Sequence, residues 1–350
     1  MNSSSNRSRI LVALVVGLIS WSAGGCYLLE SAKGQAALLS KRKPIAQLLD
    51  NPRTPRALRA QLEEVTSIRN FASRELGLPD NGSYRSYADV GRPYVVWNVV
   101  AAPEFSIDPK QWCFPILGCV AYRGYFVERR ARRYATELRA EHFDVMVGGV
   151  AAYSTLGHFD DPILNTMVGW NDVELAAIVF HELTHQLIYV AGDASFSEAL
   201  ASTVEEEGVR RWLLSQGRGA DLAAHRMAQQ RILDVVGLLR TTRASLGALY
   251  ASGLDAPQMR TGKEALFGKL RQAYTVLKSP WGSHAPFESW FAGELNNAQL
   301  ASVATYYDCV PGFERELAAV GGELPAFYRR VRALAVLDRA RRDAAVCSGP

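Results

Sequence analysis

The residues with the plainest chemistry are His181, Glu182 and His185, in the run His181-Glu182-Leu183-Thr184-His185. At helical pitch this H-E-x-x-H pattern sets two imidazoles one turn apart on one face, with a carboxylate beside them. Two imidazoles so placed suit a tetrahedral metal ion, and the carboxylate suits a general base for a water held there. The competing reading is a pair of core histidines on a buried helix. Buried ring nitrogens need partners in either case, and a metal supplies one to both.

The flanks place the motif on a helix. Asn171 and Glu174 have the spacing of a capping box, and Val173, Ala176, Ala177, Phe180, Leu183 and Leu187 form a mostly apolar surface. Gly192 supplies a stop. Two histidines do not complete a catalytic site, which takes a third protein ligand and keeps one position open. Asp193, Glu198, Glu205, Glu206 and Glu207 are the downstream candidates. Asp193 follows Gly192 and reads as a turn residue. Glu206 with Arg210 and Glu207 with Arg211 have the spacing of exposed ion pairs. Glu198 lies in the first turn of the next helix, where it equally fits a capping box with Ser195. Glu205 is seven residues further along the same face, a second candidate ligand or a group behind one.

The elements that must carry this motif follow from composition and pattern. The chain has 350 residues, is 48% hydrophobic and carries a net charge of +4, enough apolar content for a substantial core. Acidic and basic residues are interspersed, so nothing suggests a nucleic-acid footprint. The basic run Arg329 to Arg342 reads as a solvated helix face. Helices are expected over Ser31–Asp50, Pro55–Leu76 and Tyr125–His142, and strands over Tyr94–Val100, Ile116–Tyr122 and Asp144–Thr155. After the motif nearly everything reads as helix: Ser197–Leu214, Asp221–Ala251, Gln258–Lys278, Asn297–Asp308 and Pro325–Ala345. The expectation is an α+β fold, a small mixed sheet in 26–170 followed by a helical lobe in 171–350, together one domain over 26–350.

The N-terminus reads as a targeting segment. Arg7 and Arg9 precede the apolar stretch Ile10 to Ile19, which is too short for a membrane span. Ala23-Gly24-Gly25-Cys26 resembles a bacterial lipobox. That resemblance implies removal of residues 1–25 and lipidation of Cys26. With Tyr27 following, it also implies the periplasmic side of the outer membrane. Export makes Cys113, Cys119, Cys309 and Cys347 potential disulfides with three possible connectivities. Cys113 with Cys119, across a short turn, and Cys309 with Cys347, across the C-terminal helices, is the expected pairing. No C-x-x-C spacing suggests a thiolate zinc site.

H-E-x-x-H followed by Ser197-Glu198-Ala199-Leu200-Ala201 resembles the gluzincin metallopeptidases, whose third ligand is the glutamate of the second motif. Val150-Ala-Ala-Tyr-Ser-Thr-Leu-Gly-His-Phe-Asp-Asp-Pro162, Phe180-His-Glu-Leu-Thr-His-Gln186 and Gly192-Asp-Ala-Ser-Phe-Ser-Glu-Ala-Leu-Ala201 are similar to the predicted aminopeptidases of many proteobacterial genomes. Cys26-Tyr27, Gly34-Gln35, Lys43-Pro44-Ile45, Tyr122-Arg-Gly-Tyr125 and Val310-Pro-Gly-Phe313 extend the similarity over almost the whole mature chain. Ser197 departs from the asparagine usual before that glutamate.

The resemblance implies a zincin-like fold with the active-site helix between sheet and lobe, and one Zn2+ on His181, His185 and Glu198. Glu182 would act as general base and then acid in hydrolysis of a peptide substrate. Tyr306 is the expected oxyanion donor, with Tyr307, Tyr250, Tyr153 and His284 as alternatives. Ala151 to Thr155, Ala151 and Tyr153 included, is expected to pair with an extended substrate. Asn296-Asn297 or Asp160-Asp161 are candidates to hold a free α-amine, and His142 and His158 read as loop or surface residues. A non-catalytic envelope lipoprotein that binds zinc or a partner is the alternative, against which the presence of Glu182 argues.

Overall fold

The computed structural model describes residues 27–114, 118–152, 154–304 and 309–347. Residues 1–25, Cys26, Tyr153, Tyr306 and Tyr307 lie outside these residues, and the side chain of His284 is likewise not described. The fold is α+β and 62% helical with small sheets, so helix packing has to do most of the positioning.

The chain opens with helix α1 over 27–39, strand β1 (Lys43–Pro44) and helix α2 (Ile45–Asp50). One helix was expected here, and Pro44 explains the split. It lacks an N–H for a helical bond and pushes the residue before it into extended backbone. Helix α3 (Arg56–Arg74) follows, then strand β2 (Ser86–Ala88), which pairs antiparallel with β1 and parallel with β8 (Ile163–Leu164).

The second sheet has the order β6-β3-β7, with β3 (Val96–Pro103) flanked antiparallel by β6 (Arg123–Tyr125) and β7 (Phe143–Val150). Helix α4 (Glu128–Ala140) covers one face, setting Ala131, Ala135 and Leu138 against Trp97, Val99 and Ala101. The third sheet is the hairpin of β4 (Trp112–Phe114) and β5 (Gly118–Val120), where Cys113 faces Cys119 and is disulfide-bonded to it. Of the strand expected over Ile116–Tyr122, only Gly118–Val120 is strand, as β5, and β6 begins just after it in a different sheet. β7 ends at Val150, five residues before its expected end. Beyond it the carbonyl of Ala151 accepts from the Thr166 hydroxyl, and Thr155 turns its amide and hydroxyl to Asp161. The carbonyl of Ala151, in the segment expected to pair with substrate, is thus engaged by Thr166, and the strands at the edges of this sheet are β6 and β7.

Helices α5 (Asp172–Leu187) and α6 (Ala194–Ser215) follow. The long pair α7 (Gly219–Tyr250) and α8 (Ala256–Lys278) packs around Val235, Leu239, Leu246, Phe267 and Leu270. Next come α9 (Glu288–Ala292), α10 (Asn297–Ala304), α11 (Val310–Ala318), α12 (Leu324–Ala335) and α13 (Arg339–Arg342). The single C-terminal helix expected over Pro325–Ala345 breaks after Ala335, and Asp338 caps its continuation by accepting from the Arg341 amide. Cys309 and Cys347 form the second disulfide.

Arg342 corrects the reading of the basic C-terminal run as solvated. Its guanidinium is buried and lies 2.8 Å from the buried carboxylate of Asp193. The main core gathers Leu62, Ile68, Phe180, Phe196, Trp212, Phe313 and Phe327 from α3, α5, α6, α11 and α12. Each such side chain contributes about 1.5–3 kcal/mol by leaving water.

Candidate metal centre

Helix α5 forms as its flanks require. Asn171 Oδ1 accepts from the Glu174 amide and Glu174 Oε2 accepts from the Asn171 amide, each at 2.9 Å, which closes the capping box. Leu175, Ala176, Val179, Phe180 and Leu183 are buried, and the helix ends at extended Ile188. Gly192, at φ 80°, turns the chain toward α6. There Asp193 is the N-cap, accepting from the Phe196 amide at 3.2 Å and bonded to Arg342. Asp193 rather than Ser195 caps the helix, so Glu198 has no capping duty.

Helices α5 and α6 pack closely because Gly208 faces Phe180. A Cβ there would sit 2.7 Å from the ring and 2.8 Å from Leu76. This approach brings the acids of α6 against the histidines of α5. His181 Nε2 lies 3.2 Å from His185 Nε2 and 3.2 Å from Glu198 Oε2, and His185 Nε2 is 3.6 Å from Glu198 Oε2. On the far side of the ring, His181 Nδ1 is 2.9 Å from Glu205 Oε2.

Proton bookkeeping decides what that triangle suits. If His181 Nδ1–H donates to Glu205, the neutral ring presents a bare Nε2 to a carboxylate oxygen and another imidazole. Three electron-rich atoms then converge on one point, which a cation must fill. A proton on His181 is one answer. Burial disfavours that charge, but Glu198 and Glu205 outweigh it and hold the pKa of His181 well above the usual range. Burial also works against the Glu198 carboxylate, yet hydrogen bonds from His181 and His185 bring its pKa down to about 2. A zinc ion is the other answer: bonds of about 2.0–2.1 Å at tetrahedral angles put ligand atoms about 3.3–3.4 Å apart. The observed separations bracket that value, so these residues fit the ion. The Nδ1 of His185 is buried without a hydrogen-bond partner among the described residues, with the Tyr189 ring edge-on at 6.0 Å.

Glu182 and these three groups line a cavity of about 1120 Å³. Burial raises the pKa of Glu182, the neighbouring imidazoles oppose this, and Glu198 and Glu205 add to it. The far end of α5 is tied down by a loop that no sequence motif marks. Buried Arg69 donates to the carbonyls of Ser83 at 2.8 Å and Pro79 at 2.6 Å. Asn81 then donates to Gln186 Oε1 at 2.8 Å, and Gln186 to Ser83 Oγ at 3.2 Å. Nothing local in the sequence marks Arg69 as internal: beside the Ser73 hydroxyl one turn on, it donates to main-chain carbonyls ten or more residues away.

Other sequence candidates fall elsewhere. Tyr306, Tyr307 and Tyr153 are outside the described residues. Tyr250 donates its hydroxyl to Asn297 Oδ1 at 2.9 Å, and Asn297 in turn donates to the carbonyls of Pro103 and Glu104. Asn296 turns its amide toward the Val145 carbonyl, so neither asparagine reaches the cavity. Asp161 is buried beneath the cavity wall, occupied by Thr155. Glu206 meets His225 at 3.0 Å instead of Arg210, while Glu207 takes both Arg210 and Arg211 at 2.6 Å. His158 lies on an exposed loop at the cavity rim.

No curated protein and no solved structure shows detectable similarity to this chain. A family model described as "Putative aminopeptidase" matches residues 26–346 of the chain's 350. The chain belongs to this aminopeptidase family.

Proposed function

We propose that the protein is a zinc-dependent aminopeptidase of the gluzincin kind, with one Zn2+ held by His181, His185 and Glu198. The observation that carries this reading is the triangle of 3.2, 3.2 and 3.6 Å among His181 Nε2, His185 Nε2 and Glu198 Oε2. Bound there, zinc would lower the pKa of a coordinated water and polarise the scissile carbonyl.

The chain's own residues supply the rest. Glu205 accepts the Nδ1 proton of His181 and so keeps the Nε2 lone pair directed at the centre. Glu182 takes a proton from the attacking water and returns it to the leaving amine. Burial holds its pKa up, which suits a group that must exchange protons near neutrality. Glu174, Glu182, Glu198 and Glu205 line the cavity, and no described lining residue is lysine or arginine. That electrostatic balance favours a substrate's ammonium end and offers nothing to a C-terminal carboxylate, which supports an aminopeptidase over a carboxypeptidase. Tyr306 is the proposed oxyanion donor. Residues 26–350 act as one zincin-like unit, carried on the periplasmic side of the outer membrane by a lipid on Cys26. No described helix is long and apolar enough to cross a membrane.

The test is hydrolysis of aminoacyl 4-nitroanilides and short peptides by the purified protein. Activity should vanish with a chelator and return with zinc. In Glu182→Gln, kcat should fall about 10²–10⁴-fold with zinc retained. Zinc binding with no hydrolysis of any peptide would favour a non-catalytic module instead.

A further inference from the structure

The cavity is larger than the metal centre requires, and much of its remaining wall is apolar. At about 1120 Å³ it exceeds the roughly 300–1,000 Å³ that suits a drug-sized ligand. Ala177 and Ile178 line it one turn before His181 on α5. On the sheet, Val96 and Val150 are paired across β3 and β7, and both line the cavity. The glutamates of the wall have other duties. Glu174 is bonded at the α5 cap, Glu198 and Glu205 are bonded to His181, and Glu182 belongs to the motif. The wall contributed by α1 and the sheet carries no charged side chain among the described residues.

Helix α1 shows how this space stays open. One of its faces carries Tyr27, Glu30 and Gly34, spaced three and four residues apart. The Tyr27 hydroxyl donates to the Gly124 carbonyl at 2.9 Å, and Glu30 pairs with Arg130 at 2.5 Å. Gly34 lies against Phe126, where a Cβ would come within 2.2 Å of the ring. The adjoining face carries Leu28, Ala32 and Gln35, again at helical spacing, and these line the cavity. Leu28 is 49% exposed, and Ala32 is exposed as well. One face of α1 thus attaches the helix to the sheet, and the next faces the cavity.

We propose that the part of the cavity lined by α1 and the β6-β3-β7 sheet is a specificity pocket for a bulky apolar side chain of the peptide substrate, next to the scissile bond. Aliphatic carbon gains there by leaving water, whereas a charged side chain would lose its hydration without a partner. Leucine carries three more carbons than alanine, and each buried methylene favours binding about fourfold. The pocket rests on the peptidase reading above and adds the substrate class: peptides with leucine or a similar residue at the cleavage site.

The experiment measures kcat/KM of the zinc-loaded protein for Leu-Ala-Ala, Ala-Leu-Ala and Ala-Ala-Ala. The better leucine peptide should exceed Ala-Ala-Ala by about tenfold or more. Ala32→Trp, which fills the pocket from an exposed helix position, should cut that advantage to about threefold or less. Its rate on Ala-Ala-Ala should stay within about twofold, with zinc content unchanged. Ala36→Trp, exposed on α1 but outside the cavity wall, should behave as the wild type. Val150→Thr keeps the shape of the wall and adds a hydroxyl, and should lower the leucine advantage about twofold or more. It decides the matter if Ala32→Trp loses all activity through misfolding. No leucine advantage in the wild type, or an advantage that survives Ala32→Trp, would overturn the pocket while leaving the peptidase reading intact. If the wild type cleaves none of the three, it is the peptidase reading that fails. Calorimetric binding of the same peptides then decides the pocket: tighter binding of a leucine peptide, lost in Ala32→Trp, supports it, and equal or undetectable binding overturns it.

Discussion

His181 faces a carboxylate on each side of its ring, Glu205 at Nδ1 and Glu198 at Nε2. Removing Glu205 should therefore loosen the metal without deleting a ligand. Glu205→Ala is expected to weaken zinc about 10–100-fold in a competition titration with a chelator. An unchanged affinity would assign Glu205 to packing alone. Asp161 makes a separate prediction. Burial lifts its pKa to about 6, Thr155 opposes this, and the charge of Glu182 adds to it. A carboxyl raised on folding binds its proton more tightly in the native state, so its contribution to stability declines as pH rises from about 4 through 6. Asp161→Asn should remove that slope. The variant should gain on the wild type in urea unfolding as pH goes from 4 to 7, whereas parallel profiles would contradict the assignment. His181, Glu182 and His185 were legible in the sequence because one helical turn fixes their relation. Glu198 needed the family resemblance, since its capping alternative with Ser195 was equally good locally.

The centre depends on how closely α6 lies against α5, and Gly208 is where that distance is set. Gly208→Ala would force its methyl into Phe180, at a cost of about 1–3 kcal/mol, and move Glu198 and Glu205 relative to the histidines. Both the melting temperature and zinc affinity should drop. Gly237→Ala, on α7 with nothing within 4 Å of the new methyl, should be neutral or stabilising and leave zinc affinity alone. A drop in melting temperature alone for Gly208→Ala would mean that the two helices hold their register by other contacts. The α5 boundaries were readable because Asn171 and Glu174 satisfy each other within one turn. Those of α6 were misread: Asp193 is its cap, and it is positioned by Arg342 from the far end of the chain. The break between β5 and β6 was hidden for a related reason. Apolar and aromatic residues continue through Val120 and Tyr122, while the pairing partners change from one sheet to another.

Across the molecule, helices from both halves of the chain converge on α5 and α6. α3 packs against them from the N-terminal half, and α11 and α12 from the C-terminal half, around one shared core. The cavity draws its wall from α1, the β6-β3-β7 sheet, α5, α6 and α7. The C-terminal segment is held to this core by the Cys309–Cys347 disulfide and the Asp193–Arg342 ion pair. The α+β class and the helical second half could be read from periodicity, and both disulfides match the pairing expected from their flanks. The meeting of distant segments could not be read, since it follows from tertiary packing. The most direct measurement is metal content by elemental analysis of the protein beginning after Cys26, with His185→Ala and Glu198→Ala beside it. The account predicts about one zinc per chain, lost or sharply weakened in both variants. Full zinc in Glu198→Ala would remove that residue from the ligand set, and no zinc in any of the three, even after supplementation, would contradict the metallopeptidase assignment itself.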